Sequence, residues 1–224
     1  MPLDKAAILK TWKTIVEFEI NGDAAKKRFV IASANKGKVK ELRHLFSDSR
    51  LRLFDTKELG LEINVEETGT SFEENASIKA KAYAKCASMW SIADDSGLEV
   101  SALGGAPGYL SARYAGQNAN DERRTEYLLE CMRHVPNGER DAVFKSVIAI
   151  SSPEGEVRLF HGEAHGRILK NMKGAGGFGY DPIFYLPEFK KTMAELTTDE
   201  KNSVSHRGKA AQKAISELDL ILDG

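Results

Sequence analysis

The sequence predicts an α/β protein on three observations. Short apolar runs of the buried-strand type alternate with stretches whose apolar residues recur at helical spacing. Of the 224 residues, 42% are hydrophobic and 29% are charged, which is an ordinary composition for a globular protein. The chain shows neither an internal repeat nor a low-complexity linker. Its length suits one large domain or two lobes that share a core.

The first 27 residues look separable from the rest of the chain. Trp12, Ile15 and Val16 fall on one stripe of a short amphipathic helix, which an Asn-Gly-Asp sequence then ends. We therefore expect residues 1–27 to form an extension of unknown role. Residues 28–224 are expected to form a single functional domain.

A strand, a polar turn and a helix open this domain. Residues 29–32 are a short apolar run, and the polar segment 33–38 follows. After it, Val39, Leu42 and Phe46 recur at helical spacing. In such an arrangement, the backbone N–H groups at the helix start point at an anion.

Three later helices are predicted from their caps and apolar faces. One begins near Ser71, which forms a capping-box pattern with Glu74. Another spans residues 121–135 after the cap Asn120, and the last begins near Ser205.

Strands fill the middle of the domain. Residues 143–150 and 157–164 are strand-like and are separated by a turn at 151–155. Upstream, we expect a strand to end at residues 92–93. Residues 94–97, Asp-Asp-Ser-Gly, would then follow it as a polar bend.

Charge and cysteine content exclude several classes of protein. With 32 Lys and Arg against 33 Asp and Glu, the chain has no excess of cations with which to hold nucleic acid. No run approaches the ~18 apolar residues of a membrane span, and no secretory signal pattern is present. We expect a soluble, cytoplasmic protein. Its two cysteines, Cys86 and Cys131, are too few for a disulfide framework and are expected to be reduced core residues.

Two nucleotide-binding motifs fail on their context. Residues 174–179 match G-x-G-x-x-G, but residues 180–187 cannot begin the long helix that the dinucleotide fingerprint requires. Gly37-Lys38 and Gly208-Lys209 lack the upstream glycine of a P-loop. A G-x-S-x-G nucleophile elbow is absent from the sequence.

The remaining reactive groups suit a Mg²⁺–polyphosphate site. Cations lie at both ends of the domain with carboxylates between them, and carboxylates hold Mg²⁺ together with water and substrate phosphates. Asp94-Asp95 follows an apolar strand, where burying acids is costly unless a cation compensates. Glu66-Glu67 taken alone fits a solvated surface pair better than a metal site. The groups are residues 33–38, Glu66-Glu67, Asp94-Asp95-Ser96, and Lys173, Asp181, Lys201, His206 and Arg207.

Five ordered stretches carry a specific resemblance. They are residues 32–38, 66–76, 93–98 with 104–108 and 111–114, 176–184, and 203–210. With them, residues 29–222 resemble the inosine triphosphate pyrophosphatase family. Where the family typically has Thr-Gly-Asn, this chain has Ser33-Ala34-Asn35.

The resemblance implies hydrolysis of ITP, dITP and XTP to the nucleoside monophosphate and pyrophosphate, with Mg²⁺ as cofactor. The implied fold is an elongated mixed β-sheet flanked by helices, with two lobes around a central nucleotide cleft, and the implied assembly is a homodimer. Neither nucleic acid nor a membrane is an expected partner.

The resemblance also implies a role for each matching residue. Asp95 would hold the metal and act as base toward water, with Glu67 or Glu66 as the second metal carboxylate. Ser96 would contact substrate, and Phe178 would stack on the base. Residues implied to cradle the triphosphate are Ser33, Ala34, Asn35, Lys36, Gly37 and Lys38; those implied to complete base and phosphate recognition are Gly179, Tyr180, Asp181, Lys201, His206 and Arg207.

Three other functions would use similar groups. A phosphatase would release orthophosphate in place of pyrophosphate. A pyrimidine-directed pyrophosphatase of similar architecture would differ in base preference. A non-catalytic nucleotide-binding protein would not need Asp95.

Overall fold

A computed structural model describes residues 26–47 and 49–222, and these form one seven-stranded mixed sheet flanked by helices. The strands are β1 Lys27–Ile31, β2 Leu51–Phe54, β3 Trp90–Val100, β4 Asp141–Ser151, β5 Val157–Ile168, β6 Phe184–Leu186 and β7 Lys191–Thr192. The helices are α1 Lys36–Leu45, α2 Phe72–Ala87, α3 Asp121–Cys131, α4 Thr198–Val204, α5 His206–Ser216 and α6 Leu218–Leu222. The predicted α/β class with a mixed sheet is confirmed.

Strand β3 is long, and its two neighbouring strands pair with different lengths of it. The sheet order is β2-β1-β3-β4-β5-β6-β7, with β1 parallel to both β2 and β3 and the remaining pairs antiparallel. Strand β1 pairs with β3 only as far as Ile31 opposite Ile92, whereas β4 pairs with β3 from Ser91 to Val100. The second half of β3 therefore has a strand partner on one side only, apart from an isolated bridge at Glu99.

One face of β3 passes through two separate apolar clusters. Ile92 belongs to a cluster with residues from α1, α5 and α6, and Leu98 and Val100 belong to a second cluster with residues from α3. Because side chains alternate along a strand, Asp94 and Ser96 lie on this same face between the two clusters. The gap between the two cores is a cleft with a polar floor, as the two-lobed prediction requires.

The opposite face of β3 packs on α2. Ala93 lies in a third cluster with Phe72, Ala76 and Ala80 of that helix. Ser71 caps α2 by accepting a hydrogen bond from the Glu74 N–H at 3.1 Å. The Glu74 carboxylate accepts from the Thr70 N–H at 2.6 Å, one residue before the predicted cap.

The expected strand end at residues 92–93 is wrong. Asp94, Asp95, Ser96 and Gly97 lie inside β3, because each pairs with a residue of β4. Gly97 is no bend: a Cβ there would lie 2.4 Å from the Gly108 carbonyl oxygen, so glycine allows a close approach of the neighbouring loop.

The helix predicted over 121–135 ends at Cys131, although Asn120 caps it as expected. Pro136 disfavours a helical conformation for the residue before it, and Val135 donates to the Met132 carbonyl in a tighter turn. Cys131 and Cys86 are both exposed, so their assignment to the core is also wrong. Met132, the residue after the helix end, is fully buried in the position expected for Cys131.

Other predictions divide between confirmed and untested. The strands predicted over 143–150 and 157–164 are present and extend further, as β4 and β5. The helix predicted within residues 1–27 lies outside the described residues, and the division at residue 27 stays a prediction. Among the residues that the structure describes, no helix combines the length and apolar character of a membrane span.

Gly162→Ala tests how closely α5 packs on β5. An added Cβ would lie 2.0 Å from the His206 carbonyl oxygen and 2.5 Å from the Ala210 nitrogen, both of which are backbone atoms. We expect the free energy of unfolding to fall by about 3 kcal/mol in urea titrations, because α5 must shift. Gly138→Ala is the matched control, since a Cβ there meets nothing within 4 Å. Equal stability of the two variants would contradict this packing.

Candidate active site

Asp94 is a fully buried carboxylate surrounded by donors. Arg207 Nη2 and Lys38 Nζ each lie 2.9 Å from its Oδ2, and the Ser96 hydroxyl donates to the same oxygen. Ser146 Oγ donates to Oδ1 at 2.6 Å. Burial alone would raise the pKa of Asp94, but the Arg207 and Lys38 charges hold it well below its ordinary value. Both oxygens are thus occupied by protein groups.

The backbone of Asp94 is also bound by cations. Strand β1 has ended at this level, so the Asp94 carbonyl has no strand partner on that side. Lys38 Nζ from α1 and Lys79 Nζ from α2 donate to it at 3.2 and 3.1 Å. These contacts bring side chains from both faces of the sheet to one edge.

Asp95 points to the opposite face and meets Lys79. Lys79 Nζ lies 2.7 Å from Asp95 Oδ1 and 2.8 Å from Glu67 Oε1, so one ammonium joins the two carboxylates. Asp95 Oδ2 makes no hydrogen bond to any described residue. Burial raises the pKa of Asp95, and the Lys79 and Lys38 charges offset that only in part. Despite burial, Asp95 and Glu67 keep the pKa of Lys79 above its ordinary value.

A chain of ion pairs continues from Asp94 to the glycine-rich loop. Arg207 Nη1 pairs with Glu41 of α1. Lys201 Nζ lies 2.7 Å from Glu41 Oε1 and 2.6 Å from Asp181 Oδ2. Despite burial, Asp181 and Glu41 raise the pKa of Lys201. The cleft is therefore spanned by alternating charges.

Phe178 lies at the end of this chain of charges. Lys201 Nζ and Arg207 Cζ are 5.1 and 5.4 Å from the centroid of its ring, within cation–π range. The ring also packs on Gly37 at the start of α1, where a Cβ would lie 2.7 Å from it. Asp181 Oδ2 accepts the Phe178 N–H at 2.8 Å. Phe178 thus connects the polar segment 33–38 with the C-terminal cations.

His206 is buried beside Phe178 in the lining of the same cleft. Its ring stacks on Phe144 with centroids 4.6 Å apart, and its Nδ1 has no hydrogen-bond partner among the described residues. Burial, with the nearby Arg207 charge, holds the pKa of His206 well below its ordinary value. The ring is therefore neutral and has a ring nitrogen left for a ligand.

The buried His206 makes stability depend on pH. Its pKa in the folded state lies below the unfolded value of about 6.5, so the unfolded chain binds the extra proton. Wild-type protein should therefore lose about 1.4 kcal/mol of unfolding free energy through His206 between pH 7.5 and 5.5. Over the same pH range, His206→Gln should lose about 1.4 kcal/mol less unfolding free energy than the wild type, as measured by thermal unfolding. His165→Gln, at a side chain 73% exposed, should follow the wild type; the same pH dependence in all three proteins would contradict a neutral His206.

The polar segment before α1 uses its backbone donors internally. Asn35 Oδ1 accepts from the N–H groups of Gly37 and Lys38 at 2.9 and 3.1 Å, so these amides are not free for an anion. Lys38 Nζ is the cation that the segment contributes to the cleft. Ala34 has no left-handed backbone, because among the described non-glycine residues only Ser88 and Lys190 have positive φ. Alanine therefore fits there without strain.

Several predicted residues lie away from the cleft. Glu66 and Lys36 are exposed, and Lys173 pairs with Glu195 at a side chain 60% exposed. In the extended segment, Glu66 and Glu67 point in different directions, and only Glu67 reaches Lys79.

Sequence reasoning missed three residues of the candidate site: Asp121, which lines the cleft, and Glu41 and Lys79, which pair with charged groups beside it. Glu41 lies three residues after Lys38, so helical spacing places both on one face of α1. Lys79 lies between Ala76 and Tyr83 at helical spacing on the buried face of α2. Each of them looks like a solvated helix charge in the sequence.

Fold and cleft together define an open-sheet α/β protein whose cleft interleaves buried carboxylates with Lys and Arg. The chain belongs to the Ham1 family, whose model matches residues 29–217. It is 46% identical over 202 residues to a dITP/XTP pyrophosphatase of Clostridium perfringens, covering 88% of this chain and 99% of that one. A dITP/XTP pyrophosphatase of Photorhabdus laumondii is 48% identical over 193 residues, with 85% and 98% covered. The structure of the Staphylococcus aureus Ham1 protein superposes with a TM-score of 0.76 at 44% identity, covering 87% of this chain and all of that one.

Proposed function

We propose that this protein hydrolyses the non-canonical purine nucleoside triphosphates ITP, dITP and XTP to the monophosphate and pyrophosphate, and so removes them from the nucleotide pool. The observation that carries the proposal is the shared contact of Asp95 and Glu67 with Lys79, beside a cleft reached by Lys38, Lys201 and Arg207. Two relatives at 46% and 48% identity, both named dITP/XTP pyrophosphatase, support it.

The charge balance of the cleft favours a divalent cation. Its buried or half-buried carboxylates are matched by cations, so the cleft carries no net positive charge: Glu41, Glu67, Asp94, Asp95 and Asp181 face Lys38, Lys79, Arg113, Lys201 and Arg207. A polyanionic triphosphate needs additional positive charge there. Asp95 Oδ1 and Glu67 Oε1, which share Lys79, are the fitting ligands, because Asp94 is fully buried and protein donors hold both of its oxygens. Two carboxylates suit Mg²⁺, which keeps several waters and takes substrate phosphates as further ligands; when bound, it would polarise the phosphoryl oxygens.

Asp95 is placed to activate water. Lys79 fixes Oδ1 and no described residue donates to Oδ2, so the carboxylate is held in one orientation with Oδ2 as its acceptor for water. In the proposed reaction, this oxygen takes the proton of the water that attacks the α-phosphorus. Lys38 and Lys79 lie within the same cluster to stabilise the charge on the departing pyrophosphate.

The purine would lie against Phe178. Its ring offers a stacking surface. Two buried polar atoms of residues that line the cleft, His206 Nδ1 and Arg207 Nε, have no hydrogen-bond partner among the described residues. Polar contacts of this kind distinguish a 6-oxo purine from adenine, since a donor that O6 satisfies would face an amino group instead. We propose that these residues select the base, together with the backbone of Gly179 and Tyr180 and the side chains of Asp181 and Lys201, and that Ser96 contacts the sugar or phosphate.

The test is a panel of triphosphates assayed with Mg²⁺. We expect kcat/KM for ITP, dITP and XTP to exceed that for ATP by about 10³-fold or more, with GTP, UTP and TTP also poor. A pyrimidine preference would identify a pyrimidine-directed enzyme instead. Binding without turnover of any triphosphate would identify a nucleotide-binding protein.

We also propose that the protein is a cytoplasmic homodimer. Support for the dimer comes from the family resemblance alone, and light scattering after gel filtration tests it. A mass of one chain at micromolar concentration would contradict the dimer.

A further inference from the structure

The loop that carries Phe178 has little regular structure of its own. Residues 171–177 are all exposed, and Gly174, Gly177 and Gly179 have positive φ. Such a glycine-rich segment gains no rigidity from local preference, so contacts with other elements must hold it in place.

Asp121, in the first turn of α3, provides such a contact. Its Oδ2 accepts the Gly179 N–H at 2.8 Å, and its other oxygen pairs with Arg124. Arg124 is itself held, because its Nη1 donates to the carbonyls of Ala112 and Ala119 at 2.8 and 2.7 Å. Arg124 therefore fixes the position of the Asp121 carboxylate that accepts the Gly179 N–H.

Thr125 contacts the carbonyl group of Gly179. Its buried hydroxyl lies 3.2 Å from the Gly179 carbonyl oxygen and 2.8 Å from that of Asp121. The N–H and C=O of Gly179 therefore both face α3. Asp121 is not needed as the cap of its own helix, because Asn120 accepts the Arg123 N–H at 2.8 Å.

We propose that Asp121 is a positioning residue that sets the base end of the cleft through Gly179. The proposal rests on the proposed function, since Gly179 lies between Phe178 and Tyr180 of the base site. Phe178 is joined to Gly179 by one peptide bond, so a shift of Gly179 moves the stacking ring. At the phosphate end, Lys38, Lys79 and Asp95 make no hydrogen bond or ion pair to a described residue of α3, so this end should be unaffected.

The experiment compares kinetics of three variants with ITP. Asp121→Ala should raise KM about tenfold while kcat stays within about twofold. The reason is that the hydrogen bond from the Gly179 N–H to the Asp121 carboxylate, which orders the base site, is lost. Asp121→Asn keeps an acceptor oxygen, so its KM should lie close to the wild-type value. Glu122→Ala removes the same charge from the next position of the same turn, where the side chain is exposed, and should match the wild type.

Inhibition by inorganic tripolyphosphate separates the two ends of the cleft. This probe carries the phosphate chain without base or sugar, so its inhibition constant should be the same for Asp121→Ala and wild type. An unchanged KM in Asp121→Ala would overturn the proposal, as would a parallel rise of KM and the tripolyphosphate constant, which indicates general damage. A wild-type protein that does not turn over ITP would instead refute the proposed function, and this inference with it.

Discussion

Asp95→Asn should lower kcat with ITP by about 10³-fold or more while the protein stays folded. Asparagine has nearly the same shape and can still accept from Lys79, but it cannot take a proton from water and is a poor Mg²⁺ ligand. The measurement is kcat by pyrophosphate release, with thermal unfolding as the check on folding. Asp141→Asn is a matched control in the neighbouring strand, where the side chain is 67% exposed and pairs with Arg167.

Activity within tenfold of wild type in Asp95→Asn would contradict the role of this residue as base. It would also favour a protein in which the cleft binds nucleotide without hydrolysing it. Loss of activity together with loss of folding would indicate that Asp95 serves mainly to pair with Lys79.

Arg207→Ala should lower the free energy of unfolding by about 3–5 kcal/mol. The guanidinium is buried and joins Asp94 to Glu41, so its removal leaves one fully buried carboxylate with fewer donors and another half paired. Urea titration measures the loss. Arg123→Ala is the control, because its ion pair with Glu126 lies on the surface of α3 with both side chains more than half exposed, and such pairs contribute little.

A loss below about 1 kcal/mol in Arg207→Ala would contradict the buried network. Water would then have to solvate Asp94 at a position that the structure closes completely. The same variant should also raise KM for ITP, since Arg207 lies over the Phe178 ring.

The order of strands and helices could largely be predicted, because it depends on local patterns. Apolar runs marked β1, β4 and β5, and the side chains of Ser71, Asn120 and Ser205 marked helix starts. The short strands β2, β6 and β7 were not predicted, since two to four residues show no periodicity.

The path of β3 could not be predicted for a different reason. Two acids followed by glycine resemble the end of a strand, and only pairing with β4, some fifty residues later, shows that the strand continues. The cost of burying Asp94 is offset by Arg207, which is 113 positions away. Local sequence therefore indicated that these acids needed cations but not where in the strand they lay.

Much of the candidate site was predicted, and what was missed is long-range. The resemblance pointed to residues that the fold brings into one cleft, namely Lys38, Phe178, Lys201, His206 and Arg207. It also pointed to Glu67 and Asp95, which meet at Lys79 beside that cleft. Glu41 was missed because its partners lie 160 and 166 residues away. The choice between Glu66 and Glu67 also needed the structure, because only the direction of the extended segment decides which one reaches Lys79.

Identification of the products of XTP hydrolysis tests the central claim most directly. With Mg²⁺ present, we expect XMP and pyrophosphate in equal amounts and no orthophosphate, because the cleft is proposed to direct water at the bond between the α- and β-phosphates. Release of XDP with orthophosphate would place the attack at the terminal phosphate and contradict the account of the cleft.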